Sequence, residues 1–514
     1  MAATQRAAAR FRFLWLAATI LALGAGAASG RQGDGRYFVI QVVDEQTGRG
    51  VPLVELATTD SVRHYTDSNG LVALDEPGLA GRKVWFTFRS HGYEFPADGF
   101  GFRGAALEVR PGKRAQVKIR RLNIAERLYR VTGAGIYRDT ALAGEKPPTE
   151  KPLLNARVFG SDSVQNSLYK GKLFWIWGDT SQDGYPLGNF SASGATSELP
   201  DKGGFDPSRG VNLRYFEDEK GFARGMAPVP GDGPTWLDGL VTVPENGQER
   251  LFAGYAKIKN SLETYQRGLV RFNDTSQQFE PVERFPLDAT LVPNGHAFRR
   301  KEDGTEYVYF GNPFPLTRVP AEAAALRDLS RYEGYTCLLP GSTPEAPKVD
   351  RDDAGKPRFA WRRNARPLTP ELQEALIRSG ALRREEALCR ITDPATKKPV
   401  MIHSGTVCWN NYRKRWIMIA VELGGTSQLG EVWYSEADSP QGPWFAGRKV
   451  VTHDRYSFYN PAQHPEFDQQ GGRLVYFEGT YASTFSGSPE QTPRYDYNQM
   501  MYRLDLADPR LKLK

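Results

Sequence analysis

An acid at the end of an apolar strand is a residue type placed to do proton chemistry, and this chain has several. The stretch "FWIWGDTSQDGYPLGNF" drives four strand-type residues into Gly178-Asp179-Thr180 and a glycine- and aromatic-rich loop. Asp179 could be the cap of an Asx-type turn, or an acid held at the mouth of a pocket. Asp238 in "PTWLDGLV" lies just before a strand, with Trp236 beside it. Glu422 ends "RWIMIAVE" and Glu478 ends "LVYFEGTY" in the same manner, while Glu431 opens a strand and reads as surface. His296, His403 and His464 all neighbour strand starts. Carboxyl groups in such positions can donate or accept protons when their environments push their pKa values apart. Asn294, Asn460 and the histidines could hydrogen-bond ligand hydroxyls. Arg267 in "TYQRGLV" could bind an acidic or hydroxyl-bearing ligand, although pairing with a nearby carboxylate is the favoured reading. Trp177, Tyr185, Trp236 and Trp409 are candidate stacking platforms, with core packing the competing explanation for any one of them.

The elements that must position these residues are β-strands. Fifty-two Gly and 35 Pro among 514 residues predict many turns and short strands, and 40% hydrophobic residues suffice for a large core. From about residue 155 onward, apolar runs flank polar turns such as "ENGQE", "KEDGTE" and "NNYRKR" in units of irregular length. Repeated antiparallel meanders of this kind indicate a β-propeller. Inner strands of a propeller converge on a central funnel, so acids at neighbouring strand ends can face each other there. Helical signal is confined to about 320–330 and to "TPELQEALIRSGALRREEAL" at 369–388, read together as an insertion over 320–395. Residues 123–154 are read as a linker.

The N-terminus carries Arg6, Arg10 and Arg12, an apolar run from Phe13 to about Leu23, and Ala25-Gly26-Ala27. It reads as a secretory signal over 1–30, too short in its apolar part for a comfortable membrane span. Its removal lowers the formal charge from +7 to +4, since it holds three Arg and no acid. The remaining Lys and Arg are scattered among acids, which argues against nucleic acid as partner. Export permits one disulfide among Cys337, Cys389 and Cys408, and the absence of C-x-x-C and H-E-x-x-H argues against a Cys/His zinc site.

Two resemblances sharpen this reading. Residues 35–122, with "D-x-x-T-G-x-G-V-P" at 44–52 and "Y-T-D-S-N-G" at 65–70, resemble the carboxypeptidase regulatory-like, transthyretin-like sandwich, usually an accessory unit. "GSDSVQNSLYKGKLFWIWGDTS" at 160–181 and the closing "YNPAQHPEFDQQGGRLVYFEGTY" resemble the domain of unknown function 4185. That family includes the endo-D-arabinanases of glycoside hydrolase family 183. "GEVWYSEADSPQGPW" at 430–444 resembles the five-bladed sugar-cleaving propellers more widely, such as glycoside hydrolase family 43. The helical insertion and the long "GYPLGNFSASGATSELPDKGGF" loop depart from the pattern. The resemblance implies an all-β, five-bladed propeller over 155–514 and a secreted hydrolase of polysaccharides or oligosaccharides. It pairs Asp162 as base with Asp179 as acid. Asp238 would be a third funnel carboxylate, and Glu422 a proton donor of the family-43 kind. Arg267, Asn294, His296, His403, His464 and Glu478 would contact substrate. No cofactor is expected, although a structural cation in the funnel would be compatible. A non-catalytic carbohydrate- or surface-binding propeller is the alternative. A sialidase-like enzyme ranks lower, for want of S-x-D-x-G-x-x-W repeats, and an esterase lower still, for want of a G-x-S-x-G elbow.

Overall fold

A computed structural model describes residues 35–189, 192–259, 262–343 and 346–513. The signal-like segment 1–30 lies outside the described residues. The chain is all-β, and five antiparallel sheets form the five blades of a propeller. The first blade contains Gln165–Tyr169, Lys172–Trp177, Ser193–Ser197 and Arg214–Tyr215. The second contains Thr235–Glu245, Gln248–Lys259, Glu263–Asn273 and Gln278–Phe285. The third begins with His296–Glu302 and the fourth with Ile402–Asn410. The fifth orders Ser457–Gln463, Leu474–Ala482 and Asn498–Asp505, then takes Glu126–Arg130 as its outermost strand. That last pairing ties the N-terminal side of the propeller to its C-terminal end and closes the ring. Leading strands meet at the centre: the first blade's touches the second's, the second's the third's, and the fourth's the fifth's. Asn312 Oδ1 accepts from Gly405 N at 2.9 Å between the third and fourth blades, and Asn166 meets His464 at 2.8 Å between the first and fifth.

Why these runs become blade strands is visible in Lys172–Trp177, whose five residues after Lys172 are all buried. Side chains alternate across a strand. Leu173, Trp175 and Trp177 therefore pack toward the fifth blade, with Tyr129, Ala462 and Tyr476. Phe174 and Ile176 pack toward the second, with Leu240, Ala253 and Phe272. A strand sandwiched between neighbours needs a continuous apolar run rather than a half-polar one. The same logic produces a core between each pair of adjacent blades.

Ahead of the propeller, two four-stranded sheets enclose their own core, including Phe38, Ile40, Val54, Phe86 and Ile119. They dock on the fifth blade. Buried Arg127 donates to Pro52 O and His91 O, both at 3.1 Å, and Tyr495 accepts from Leu53 N at 3.2 Å. The segment 320–395 holds two short helices, Ala323–Arg327 and Pro370–Arg378, the latter capped by Thr369 Oγ1 accepting from Leu372 N at 3.3 Å. It also holds strands Glu333–Thr336 and Ala360–Arg362, which complete the third blade, and Cys389–Thr392, which pairs in parallel with the fourth. The stretch is thus partly blade and only partly helical. Among the described residues all three cysteines are free, and no helix is long and apolar enough to cross a membrane.

Candidate functional site

The strand Lys172–Trp177 leaves the core at Gly178, and Asp179 follows. Above the first blade, Val158–Ser161 pairs with Thr180–Gln182, so Asp162 arrives beside Asp179. Gly178 N donates to Asp162 O at 2.8 Å, and Asp162 N to Asp179 O at 3.3 Å. Position 178 has no room for a side chain, since a Cβ there would lie 2.2 Å from Asp162 Oδ1. Beneath, the hydroxyls of Ser161, Thr180 and Ser193 form a buried chain with spacings of 3.1 and 2.8 Å, satisfying each other where no water is needed.

The two carboxyl groups differ in environment. Burial lifts Asp162 to about 6, opposed by the hydroxyls of Tyr459, Ser163 and Tyr497. Tyr459 donates to Asp162 Oδ2 at 3.1 Å from the fifth blade. Burial, and then the charge of Asp162, lift Asp179 further, to about 7, opposed by the Trp236 indole N–H, 3.0 Å from Oδ1. Repulsion between the two carboxylates makes the pair give up its protons in two coupled steps, and the charge of Asp162 favours retention of the proton on Asp179. This is the division that a proton donor and an anionic partner require.

Both acids line a cavity of about 330 Å³ that runs from the centre over the second blade, with Trp236, Asp238, Arg267, Asn294, His296 and Asn460 among its walls. Asp238 is tied down: it accepts from Gln165, from Gly239 N at 2.9 Å and from Gly295 N at 2.8 Å. Burial raises its pKa and these bonds oppose the rise. All three bonds fall on Oδ1, which links the second blade to Gln165 of the first and to Gly295 ahead of the third and fits a positioning part. His296 is held down to about 4 by burial and by nearby His464, so it is a neutral imidazole at pH 7. Together with Gln165 it also lines a second cavity of about 400 Å³ on the other side, and the two residues form the partition between them. Asn460 donates to Ser163 Oγ at 2.7 Å, and Asn294 is exposed at the rim. Arg267 is half-buried and donates to Ala289 O at 3.1 Å. Against the favoured reading, no carboxylate pairs with it among the described residues.

Other candidates fall outside this cavity. Trp177 is buried and stacked on Trp175 with centroids 6.0 Å apart, because its face of the strand points into the core rather than the funnel. His464 and Glu478 are sealed below, paired at 3.1 Å, because both lie on stretches packed between the fifth and first blades. Glu422 accepts from the Trp433 indole at 2.7 Å on the fourth blade, whose second strand it ends away from the centre. His403 meets Ser404 Oγ at 3.1 Å and does not reach the cavity. Trp409 is 43% exposed on another surface. Glu431 is buried, not surface: it accepts from Thr426 N at 2.8 Å and Thr452 Oγ1 at 3.1 Å to hold a turn. Tyr185 is on strand Tyr185–Asn189, its side chain lying outside the described residues. Sequence reasoning missed Tyr459 and Gln165. Tyr459 sits 297 positions from Asp162, and no local pattern marks it. Among the described residues no group of three or more His, Cys, Asp or Glu is arranged to hold a metal ion.

No protein-family model and no curated relative matches the chain. Among solved structures, the chain is similar to a Bacteroides ovatus ATCC 8483 protein described provisionally as a hydrolase. Identity is 15%, with 67% of this chain and 85% of that one covered, at a TM-score of 0.39. It is similar to the exo-β-1,3-galactanase of Phanerochaete chrysosporium at 9% identity, over 69% of this chain and 63% of that one, TM-score 0.36. A family-43 β-xylosidase/α-arabinofuranosidase from a compost metagenome gives 12%, 70%, 95% and 0.34 in the same order. Likenesses this distant leave the chemistry to be read from the cavity itself.

Proposed function

We propose that the protein is a glycoside hydrolase, secreted through its N-terminal signal, that cleaves a polysaccharide or oligosaccharide in the funnel. The observation that carries this reading is the pair Asp162–Asp179: two carboxyl groups clipped together at one cavity wall, with unequal proton affinity. Hydrolysis of a glycosidic bond uses a neutral acid and an ionised partner astride the bond. Asp179 gives its proton to the leaving oxygen as the bond to the anomeric carbon breaks. Asp162 either takes a proton from the attacking water or attacks the anomeric carbon itself, a water then completing the cleavage. Trp236 offers a ring beside the acids, and Asn294, His296 and Asn460 offer hydroxyl partners. The motif resemblance at 160–181 makes D-arabinan the first substrate to try. The test is reducing-sugar release from a polysaccharide panel, D-arabinan included, by wild type and Asp179→Asn, with folding of both verified. Release that the substitution abolishes supports the reading. Glycan binding without release replaces it with a binding propeller.

A further inference from the structure

We propose that the outer end of the funnel is a subsite for an anionic group on the glycan, a uronate carboxylate or a sulfate ester, received by the Arg267 guanidinium. The inference rests on reading the funnel as a glycan site, and it names the class of glycan. Arg267 is the sole Lys or Arg lining the cavity among the described residues. One of its nitrogens is fixed by Ala289 O, which orients the fork and leaves its other donors to the cavity. Two other blade arginines do have carboxylates. Arg271, four positions along the same strand, meets Glu245 at 3.2 Å, and Arg318 meets Glu333 at 2.8 Å. Nor does Arg267 contact the acids: its side chain donates to Ala289 O, whereas Asp162 accepts from Tyr459 and Asp179 from Trp236. The cavity therefore holds the paired acids at the first-blade end, Asp238 at the head of the second blade with its Oδ1 already hydrogen-bonded, and Arg267 farther along that blade with no carboxylate in ion-pair reach among the described residues. Removing a guanidinium partly from water without a counter-ion is costly, and an anionic ligand group offsets that cost by charge-assisted, bidentate hydrogen bonds. The acids disfavour an anion at their own end, which fixes the orientation of a charged glycan in the groove.

The test is calorimetric binding to the full chain carrying Asp179→Asn, so that no turnover intervenes. The probes are matched pairs: polygalacturonate against its carboxyl-reduced form, and a sulfated galactan against its desulfated form. The expected result is about tenfold tighter binding of the anionic member in one pair, the pair identifying the group. Arg267→Gln should abolish that preference, and Arg267→Lys, which keeps the charge, should retain part of it. Equal binding within both pairs, binding in neither, or a preference that survives Arg267→Gln overturns the proposal. Reducing-sugar release by wild type separates the two readings. Hydrolysis of neutral glycan with no anion preference sinks the anionic subsite alone, whereas anion preference without hydrolysis of any glycan sinks the cleavage reading alone.

Discussion

The first and fifth blades each bury a hydrogen-bonded arrangement built on an acid, and they use it in opposite ways. In the first, Asp162 and Asp179 sit just beyond strand ends, one wall open to the cavity. In the fifth, Glu478 sits in the middle of Leu474–Ala482, bonded to His464 and closed off by Trp175 and Phe467. Both acids follow apolar runs in the sequence and both are deeply enclosed. What separates them is how far the strand continues past the acid: Trp177 is the last residue of its strand, whereas four residues follow Glu478 in its own. An acid just beyond the ladder can meet a ligand, and an acid within the ladder can only hold the blades together.

The comparison breaks most sharply under mutation. Asp179→Asn removes the transferable proton and should lower kcat by about 10²- to 10⁴-fold with no loss of thermal midpoint, as measured by reducing-sugar release and calorimetry. Glu478→Ala should do the reverse. It strips a buried partner from His464 and should cost on the order of 3 kcal/mol, seen as a thermal midpoint lower by several degrees, with turnover per folded molecule retained. Loss of turnover without loss of stability would erase the distinction between the blades.

A smaller effect follows from pH. Asp162 and Asp179 have folded pKa values raised to about 6 and about 7. The folded state thus holds these protons more tightly than the unfolded chain does. Stability falls as pH rises from the ordinary carboxylate range through those values. Asp162→Asn should raise the thermal midpoint by a few degrees at pH 8 and leave it unchanged near pH 3.5. In the wild type, kcat/KM should rise through the lower value and fall through the upper, both belonging to the coupled pair. The smallest effect is expected from Trp236→Phe. It removes the N–H that favours ionised Asp179, so the alkaline limb of the pH–rate profile should move to higher pH. An unchanged limb would remove the indole from the tuning of Asp179.

Strand-type runs and polar turns announced an all-β propeller, because alternation across the strand dictates what each blade can bury. "GDT" after an apolar strand marked Asp179, and its glycine proved necessary for a reason a single sequence does not state: Asp162 Oδ1 fills the space of the missing Cβ. Asp162 was reachable only through a family likeness, since it lies seventeen positions ahead of Asp179. The same local pattern misplaced Trp177, Glu422, His403, His464 and Glu478, because a strand-end motif carries no information about how far the sheet ladder extends or which face meets the funnel.

By itself, then, the sequence determined the strand periodicity, the turn chemistry and the supply of acids, all properties of neighbours along the chain. Only the tertiary structure decided which acids share a cavity, that Tyr459 reaches Asp162 from another blade, and that Arg267 faces the funnel without a carboxylate. Those outcomes depend on closing the ring through Glu126–Arg130, which brings together groups separated by hundreds of residues. Burial and charge then set their protonation through space rather than along the chain.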